Sequence, residues 1–264
     1  MNLLQKSILS TVVYYDTLDY PLTSLEVFKY LVNPFHIASF YWGSGPESKL
    51  FKPIELGRFS NITLINIIKI LASEELKNII DEKNGFYFLK DREDIIRTRI
   101  DRQKIADQKW KKARNIIRWL QIVPYLKMVA VSGSLALNNT KKESDFDLLI
   151  VVKNKKIWLT RFMITLIVQL MGRRRPARRR GRHKNITEDR ICLNHYITDK
   201  SLEIKFKSLY NAQTYAHIIP VLEIENGIYR KFQNANRWVK DYLVFWPESE
   251  IKNFKTLKFN LLLE

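Results

Sequence analysis

The sequence predicts a mixed α/β (α+β) fold: a small mixed sheet flanked by helices, with a helical N-terminal part that ends in a hairpin and a helical C-terminal region. Three observations carry this. Leu4, Ile8, Leu9, Val12 and Val13 recur at helical spacing. Asn84-Gly85 stands between the apolar pair Ile79-Ile80 and the run Phe86-Tyr87-Phe88-Leu89, a strong hairpin signal. Two further apolar runs, 128–131 and 148–152, enclose Gly133-Ser134 and, after ten intervening residues, Asp145 and Asp147. At 264 residues and 46% hydrophobic, the chain is long enough to bury a core and to form one or two domains.

The first helix spans 3–15. Asp19-Tyr20-Pro21-Leu22 makes a turn, and Thr23 caps a second helix with Glu26 three residues on, the pattern of a capping box. Val27, Phe28, Tyr30 and Leu31 supply that helix's apolar side. An insertion follows over 33–57, and its aromatics Phe35, Phe40, Tyr41 and Trp42 mark it as packed on something. A third helix covers 62–72, and the hairpin comes next. Three helices and a hairpin resemble a winged helix, here residues 1–91. DNA binding does not follow from that fold, and the third helix carries only Lys69 as a basic residue, poor provision for phosphate contacts.

Residues 91–120 read as a long connecting helix, assigned with its C-terminal turn to 92–124. It becomes basic at Lys109, Lys111, Lys112, Arg114 and Arg118, and Pro124 closes it. The core occupies 125–207, with a helix over 156–171 and a strand over 191–197. Beyond Ser208 the pattern over 208–264 is helical again. Pro220 and Gly227 break it, and 226–246 forms an aromatic-rich amphipathic helix. The apolar ending Phe259-Asn260-Leu261-Leu262-Leu263 lacks an obvious stop, as in a short gene product or an incomplete docking segment.

Net charge is +18, and part of it lies within 173–184, in Arg173, Arg174, Arg175, Arg178, Arg179, Arg180, Arg182 and Lys184. Such a run repels itself and does not pack. It is either a solvated loop or a clamp for a polyanion such as nucleic acid, nucleotide phosphate or an acidic membrane. The single cysteine, Cys192, rules out an internal disulfide framework and a cysteine-rich zinc site, and its apolar neighbours suggest an inert buried thiol. The apolar run 157–171 is short and holds Arg161, so it reads as a buried helix and not a membrane span. No cleavable leader is evident in the first fifteen residues, and the cytoplasm is the default expectation.

The chemistry concentrates at 131–152. Residues i and i+2 of a strand point the same way, so Asp145 and Asp147 share one face and form a pair of hard oxygen ligands suited to Mg²⁺. Gly133 before Ser134 lets the backbone approach a phosphate, and a helix starting at Leu135 favours anions at its N-terminus. Lys141 and Lys142 lie in the spacer, where lysines are usually solvated. Phosphate cradle plus metal pair reads as nucleotidyl transfer, against the plainer reading of a turn followed by a strand with an acidic, solvated start.

At Val131, Gly133, Ser134, Asp145 and Asp147 the chain resembles the polymerase-beta-like nucleotidyltransferase superfamily. Its order also resembles a bacterial family that fuses an N-terminal winged helix to a nucleotidyltransferase domain. The matching stretches include Asp19-Tyr20-Pro21-Leu22-Thr23, Lys109-Trp110-Lys111-Lys112-Ala113-Arg114, Trp158-Leu159-Thr160-Arg161, Ile191-Cys192-Leu193-Asn194 and Ala235-Asn236-Arg237-Trp238-Val239. The resemblance implies that Asp145 and Asp147 hold Mg²⁺ against the triphosphate of an NTP. Ser134 would hold the terminal phosphates, and an acceptor hydroxyl would attack the α-phosphorus. It also implies a third carboxylate from a later strand, where this chain has Asn194. An amide adds no negative charge and is no base. His195, Asp189 and Glu203 are the neighbouring candidates for that role. Arg161 pairs with Asp145, Asp147 or a bound phosphate, or else serves a structural salt bridge or an exposed helix edge.

The leading expectation is therefore an Mg²⁺-dependent enzyme moving NMP to an unidentified acceptor hydroxyl on protein, small molecule or nucleic acid. The alternative is a catalytically degenerate nucleotide- or nucleic-acid-binding protein on the same fold. A winged-helix regulator would explain the N-terminus but not Asp145 and Asp147.

Overall fold

The computed structural model describes residues 1–37, 62–174 and 188–245. Phe40, Tyr41 and Trp42 of the expected insertion, the basic run beyond Arg174 and the C-terminal run from 246 lie outside the described residues. The chain forms two compact units, Met1–Ile100 with Trp238–Trp246, and Asp101–Arg237.

In the first unit, α1 (Leu3–Asp16) starts at Asn2, whose side chain accepts from the Gln5 N–H while the Gln5 side chain reaches back to the Asn2 N–H. This reciprocal cap satisfies two of the otherwise orphaned donors at a helix start. Ile8, Val12 and Tyr15 are its buried side. The short strand β1 (Leu22–Thr23) leads into α2 (Ser24–Lys29), and the capping box between Thr23 and Glu26 is present as expected. Next come α3 (Leu64–Leu71) and α4 (Glu74–Lys77). Strands β2 (Ile80–Lys83) and β3 (Phe86–Leu89) pair antiparallel around Asn84 and Gly85, both at positive φ (55° and 78°) as a tight hairpin turn requires. Strand β1 pairs with β3 to complete a three-stranded sheet. Arg99, in the first turns of α5 (Asp94–Trp119), donates to Glu26 Oε1 at 2.7 Å and lies over the rings of Tyr20 and Phe86.

The second unit is built on a four-stranded sheet. Its strands are β4 (Leu126–Val131), β5 (Phe146–Val152), β6 (Ile191–Thr198) and β7 (Ile219–Glu223), in the order β6-β5-β4-β7. Strand β4 is antiparallel to β5 and β7, and β5 is parallel to β6. Phe146, Leu148, Ile150 and Val152 share one buried face with Val129 and Val131. They belong to one core with Ala113, Ile116 and Ile117 of α5, and Ile164 and Val168 of α7 (Ile157–Leu170). The four-residue helix α6 (Gly133–Ala136) joins β4 to the loop before β5. The opposite face of the sheet carries Met128, Ala130, Leu149 and Val151, all fully buried. Helix α8 (Leu209–Ala216) follows β6, and α9 (Ile228–Ala235) packs on β4 and β7.

Three expectations change here. Helix α7 is not a buried helix: Ile164 and Val168 face the core, while Trp158, Phe162, Leu166 and Leu170 are exposed. Residues 219–223 form a strand and not a helix or a break. Pro220 is tolerated because β7 is an edge strand, where a missing N–H removes no obligatory ladder bond, and the register shifts beside it. The helix expected over 226–246 ends at Ala235 and gives way to a short 3₁₀ turn at Arg237–Asp241. No helix among the described residues is long and apolar enough to cross a membrane.

Candidate active site

The site forms where β4 ends and β5 begins. Asp147 is the second residue of β5, and Asp145 stands two positions earlier, just outside the strand. The Ser132 N–H donates to the Asp147 carbonyl at 2.9 Å, so the pairing of β4 with β5 continues to the turn. There Gly133 takes φ +65°, and a Cβ at this position would lie 2.6 Å from Asp147 Oδ2. That separation is shorter than any real Cβ contact, so only glycine lets the Asp147 carboxylate sit where it does.

Parallel pairing sets Asp147 opposite Cys192. One ligand atom from each of Asp145, Asp147 and Cys192 lies within 4.8 Å of the others. The two carboxylates are half-buried, and the thiol is 8% exposed. The donor chemistry fits a divalent cation. Two carboxylates and a potential thiolate converge, and the absent Cβ of Gly133 leaves Asp147 Oδ2 its space.

The acidic arm is held from behind. Lys109 of α5 is 3% exposed, and its Nζ donates to the Ser144 carbonyl at 2.8 Å and to Asp189 Oδ1 at 3.0 Å. Lys112 pairs with the other Asp189 oxygen. The Phe146 N–H donates to the Arg190 carbonyl at 2.8 Å, tying the start of β5 to the residue before β6. Burial pushes the Asp189 carboxyl up, but the hydrogen bonds and charges of Lys112 and Lys109 outweigh it and hold the group below the usual carboxylate range. On the other side, Trp110 Nε1 donates to Asn138 Oδ1 at 2.8 Å and Arg102 to Asn139 Oδ1 at 3.0 Å, which anchors the turn after α6 to α5.

The remaining candidates are dispersed. Ser134 is half-buried on α6. Asn194 is exposed on β6 at a bulge, where Leu193 and Asn194 together oppose Leu148 alone. His195 is half-buried edge-on to Tyr215 at 5.8 Å between ring centroids, and burial pushes its imidazole pKa down. Asp189 is occupied by two lysines, and the exposed Glu203 pairs with Lys207 at 3.1 Å. Arg161 is exposed on α7 with its guanidinium 5.3 Å from the Tyr196 ring centroid, the exposed-edge alternative for this residue. Lys141 and Lys142 are exposed.

Sequence reasoning undervalues two residues. By its apolar neighbours Cys192 reads only as an inert buried thiol, and its place beside the acidic pair depends on the β5–β6 register, which no local pattern discloses. Lys109 reads as one of several basic residues on a connecting helix. Yet it falls in the spacing Ala106, Lys109, Ala113, Ile116, an apolar seam interrupted by one lysine, and that spacing marks it as buried.

No curated protein matches the chain. Residues 110–239 match the family model of the nucleotidyltransferase domain, a segment that runs from within α5 through all four strands of the second unit and past the Gly133, Asp145 and Asp147 site. Over this segment the match supports a polymerase-beta-like nucleotidyltransferase domain.

Proposed function

We propose that the protein is an Mg²⁺-dependent nucleotidyltransferase that moves NMP from an NTP to an acceptor hydroxyl. The observation that carries this is the convergence of Asp145 and Asp147 beside Gly133 inside the matched segment. In this reading both carboxylates hold the metal. The Gly133 backbone and the Ser134 hydroxyl hold the terminal phosphates. The acceptor hydroxyl loses its proton to solvent and its oxygen forms a bond to the α-phosphorus as the bond to pyrophosphate breaks. When bound, Mg²⁺ supplies the charge neutralisation that the phosphorus oxygens and the leaving pyrophosphate need. Asn194 stands for the third carboxylate of related enzymes and offers an amide oxygen without charge or basicity.

A second reading, a nucleotide-binding protein without transfer activity, is favoured by one observation. Asp189, the carboxylate nearest the start of β6, has both oxygens engaged by lysines and is spent on structure. The experiment is incubation with each labelled NTP and Mg²⁺, alone and in cell extract. Label transferred to any acceptor supports the enzyme; Mg²⁺-dependent NTP binding with no transfer supports the second reading. The basic run 173–184 favours a polyanionic acceptor or partner on charge alone. For the first unit, helices α1 to α3 followed by the β2–β3 hairpin support the winged-helix reading.

A further inference from the structure

We propose that Cys192 is a third protein ligand of the metal site and biases it towards thiophilic divalent cations. This rests on the reading of Asp145 and Asp147 as metal ligands. Three facts point to the thiol. It is paired in register with Asp147 across two parallel strands, so the backbone fixes its position. Its sulfur belongs to the set of ligand atoms that lie within 4.8 Å of one another. And the Gly133 turn leaves Asp147 Oδ2 in place beside the strand end without a competing Cβ. A cation with oxygens at about 2.1 Å and sulfur at about 2.3 Å, at tetrahedral angles, holds its ligand atoms roughly 3.4–3.6 Å apart. The set, whose atoms lie within 4.8 Å of one another, therefore closes by at most slightly more than an ångström, within reach of side-chain rotation.

The consequence is selectivity. Mg²⁺ is a hard cation that keeps oxygen ligands and water and gains little from sulfur. Cd²⁺, Zn²⁺ and Co²⁺ gain a strong bond from a thiolate, and Mn²⁺ stands between. The site thus accepts Mg²⁺ through its carboxylates yet binds softer ions more tightly. In the enzymes this domain resembles, the third ligand is a carboxylate and all donors are hard, so this chain should differ from them in metal preference.

Cys192 is the chain's single cysteine, so any sulfur-to-metal charge-transfer band reports on this residue alone. The test titrates the full chain with Cd²⁺ in the absence of nucleotide, following ultraviolet absorbance, and measures Mn²⁺ binding by electron paramagnetic resonance with Mg²⁺ as competitor. The expected result is a saturable band in the wild type that is lost in Cys192→Ser and in Asp145→Asn/Asp147→Asn. The Cd²⁺ to Mg²⁺ affinity ratio should fall by about tenfold or more in Cys192→Ser, since even losing an outer-shell partner costs a metal site 10–100-fold. If the wild type binds Mn²⁺ or Mg²⁺ but shows no band with Cd²⁺, the thiol ligand is overturned and the carboxylate site stands. A band that survives Asp145→Asn/Asp147→Asn overturns the proposal as well, because the thiol then binds Cd²⁺ by itself. Failure of the wild type to bind any of the three ions overturns both the proposal and the metal-site reading. Absence of the band in the wild type overturns the proposal whether or not the variants fold.

Discussion

Gly133 and Asp147 are locked together: the Asp147 Oδ2 atom occupies the space where any other residue at 133 would place its Cβ, 2.6 Å away. The turn after β4 and the acidic start of β5 are therefore one steric unit. Gly133→Ala should displace the Asp147 carboxylate and cost about 1–2 kcal/mol for a non-glycine residue at φ +65°. We expect a folded protein with metal and NTP affinity reduced by about tenfold or more. Isothermal titration with Mn²⁺ checks this, and wild-type affinity in the variant would show that Asp147 does not act as a ligand.

Replacing Asp145 and Asp147 by Asn should remove Mg²⁺-dependent NTP binding and leave thermal stability nearly unchanged. Two like charges with oxygens this close repel, and neither group lies in the apolar core. A Tm equal to or slightly above that of the wild type, with binding abolished, fits a metal site. A large drop in Tm would instead mark the pair as structural.

Lys109 is the buried brace behind the site. Lys109→Met leaves Asp189 buried with Lys112 as its remaining lysine and removes the donor to the Ser144 carbonyl. Breaking one side of a buried ion pair costs about 3–5 kcal/mol, and denaturant unfolding of the second unit should show it. A loss under about 1 kcal/mol would place Lys109 among weak surface pairs.

The same cluster contributes to acid stability. The Asp189 carboxyl is held below its ordinary value, so it favours the folded state at any pH above the unfolded carboxylate value of about 3.9. That contribution fades as pH falls through the lower, folded value. Asp189→Asn should lower stability at neutral pH and flatten the fall below about pH 4. Parallel acid limbs for the variant and the wild type would remove Asp189 from the acid transition.

Much of the fold is legible from local chemistry. The Thr23–Glu26 cap and the Asn84-Gly85 turn declare themselves because each is satisfied within a few residues. The Gly-Ser turn and the Asp pair are legible for the same reason: their spacing and the flanking apolar runs are contiguous. What stays hidden depends on pairing between distant segments. Strand β7 is illegible because Pro220 argues against a strand, and only its edge position beside β4 removes the objection. Cys192 enters the site through the register of two strands more than 40 residues apart in sequence, and Lys109 through a buried carboxylate 80 residues away.

Asn194 gives the sharpest test of how the site departs from its relatives. It is exposed, so Asn194→Asp should change stability little, because surface substitutions are usually worth less than about 0.5 kcal/mol. Any effect then reports on ligands and not on folding. If the side chain serves the same cation cluster as Asp145 and Asp147, the added charge should raise affinity for a second divalent ion by about tenfold and raise nucleotidyl transfer where an acceptor is present. The bulge between Cys192 and His195 matters here. It frees Asn194 from strict strand alternation, so its side chain can turn to the site edge while Cys192 stays in register with Asp147. Mn²⁺ stoichiometry distinguishes the outcomes: a rise from one ion to two per chain places Asn194 at the second-metal position. Unchanged stoichiometry and affinity would remove Asn194 from the site and leave Cys192 as the residue of β6 that completes it.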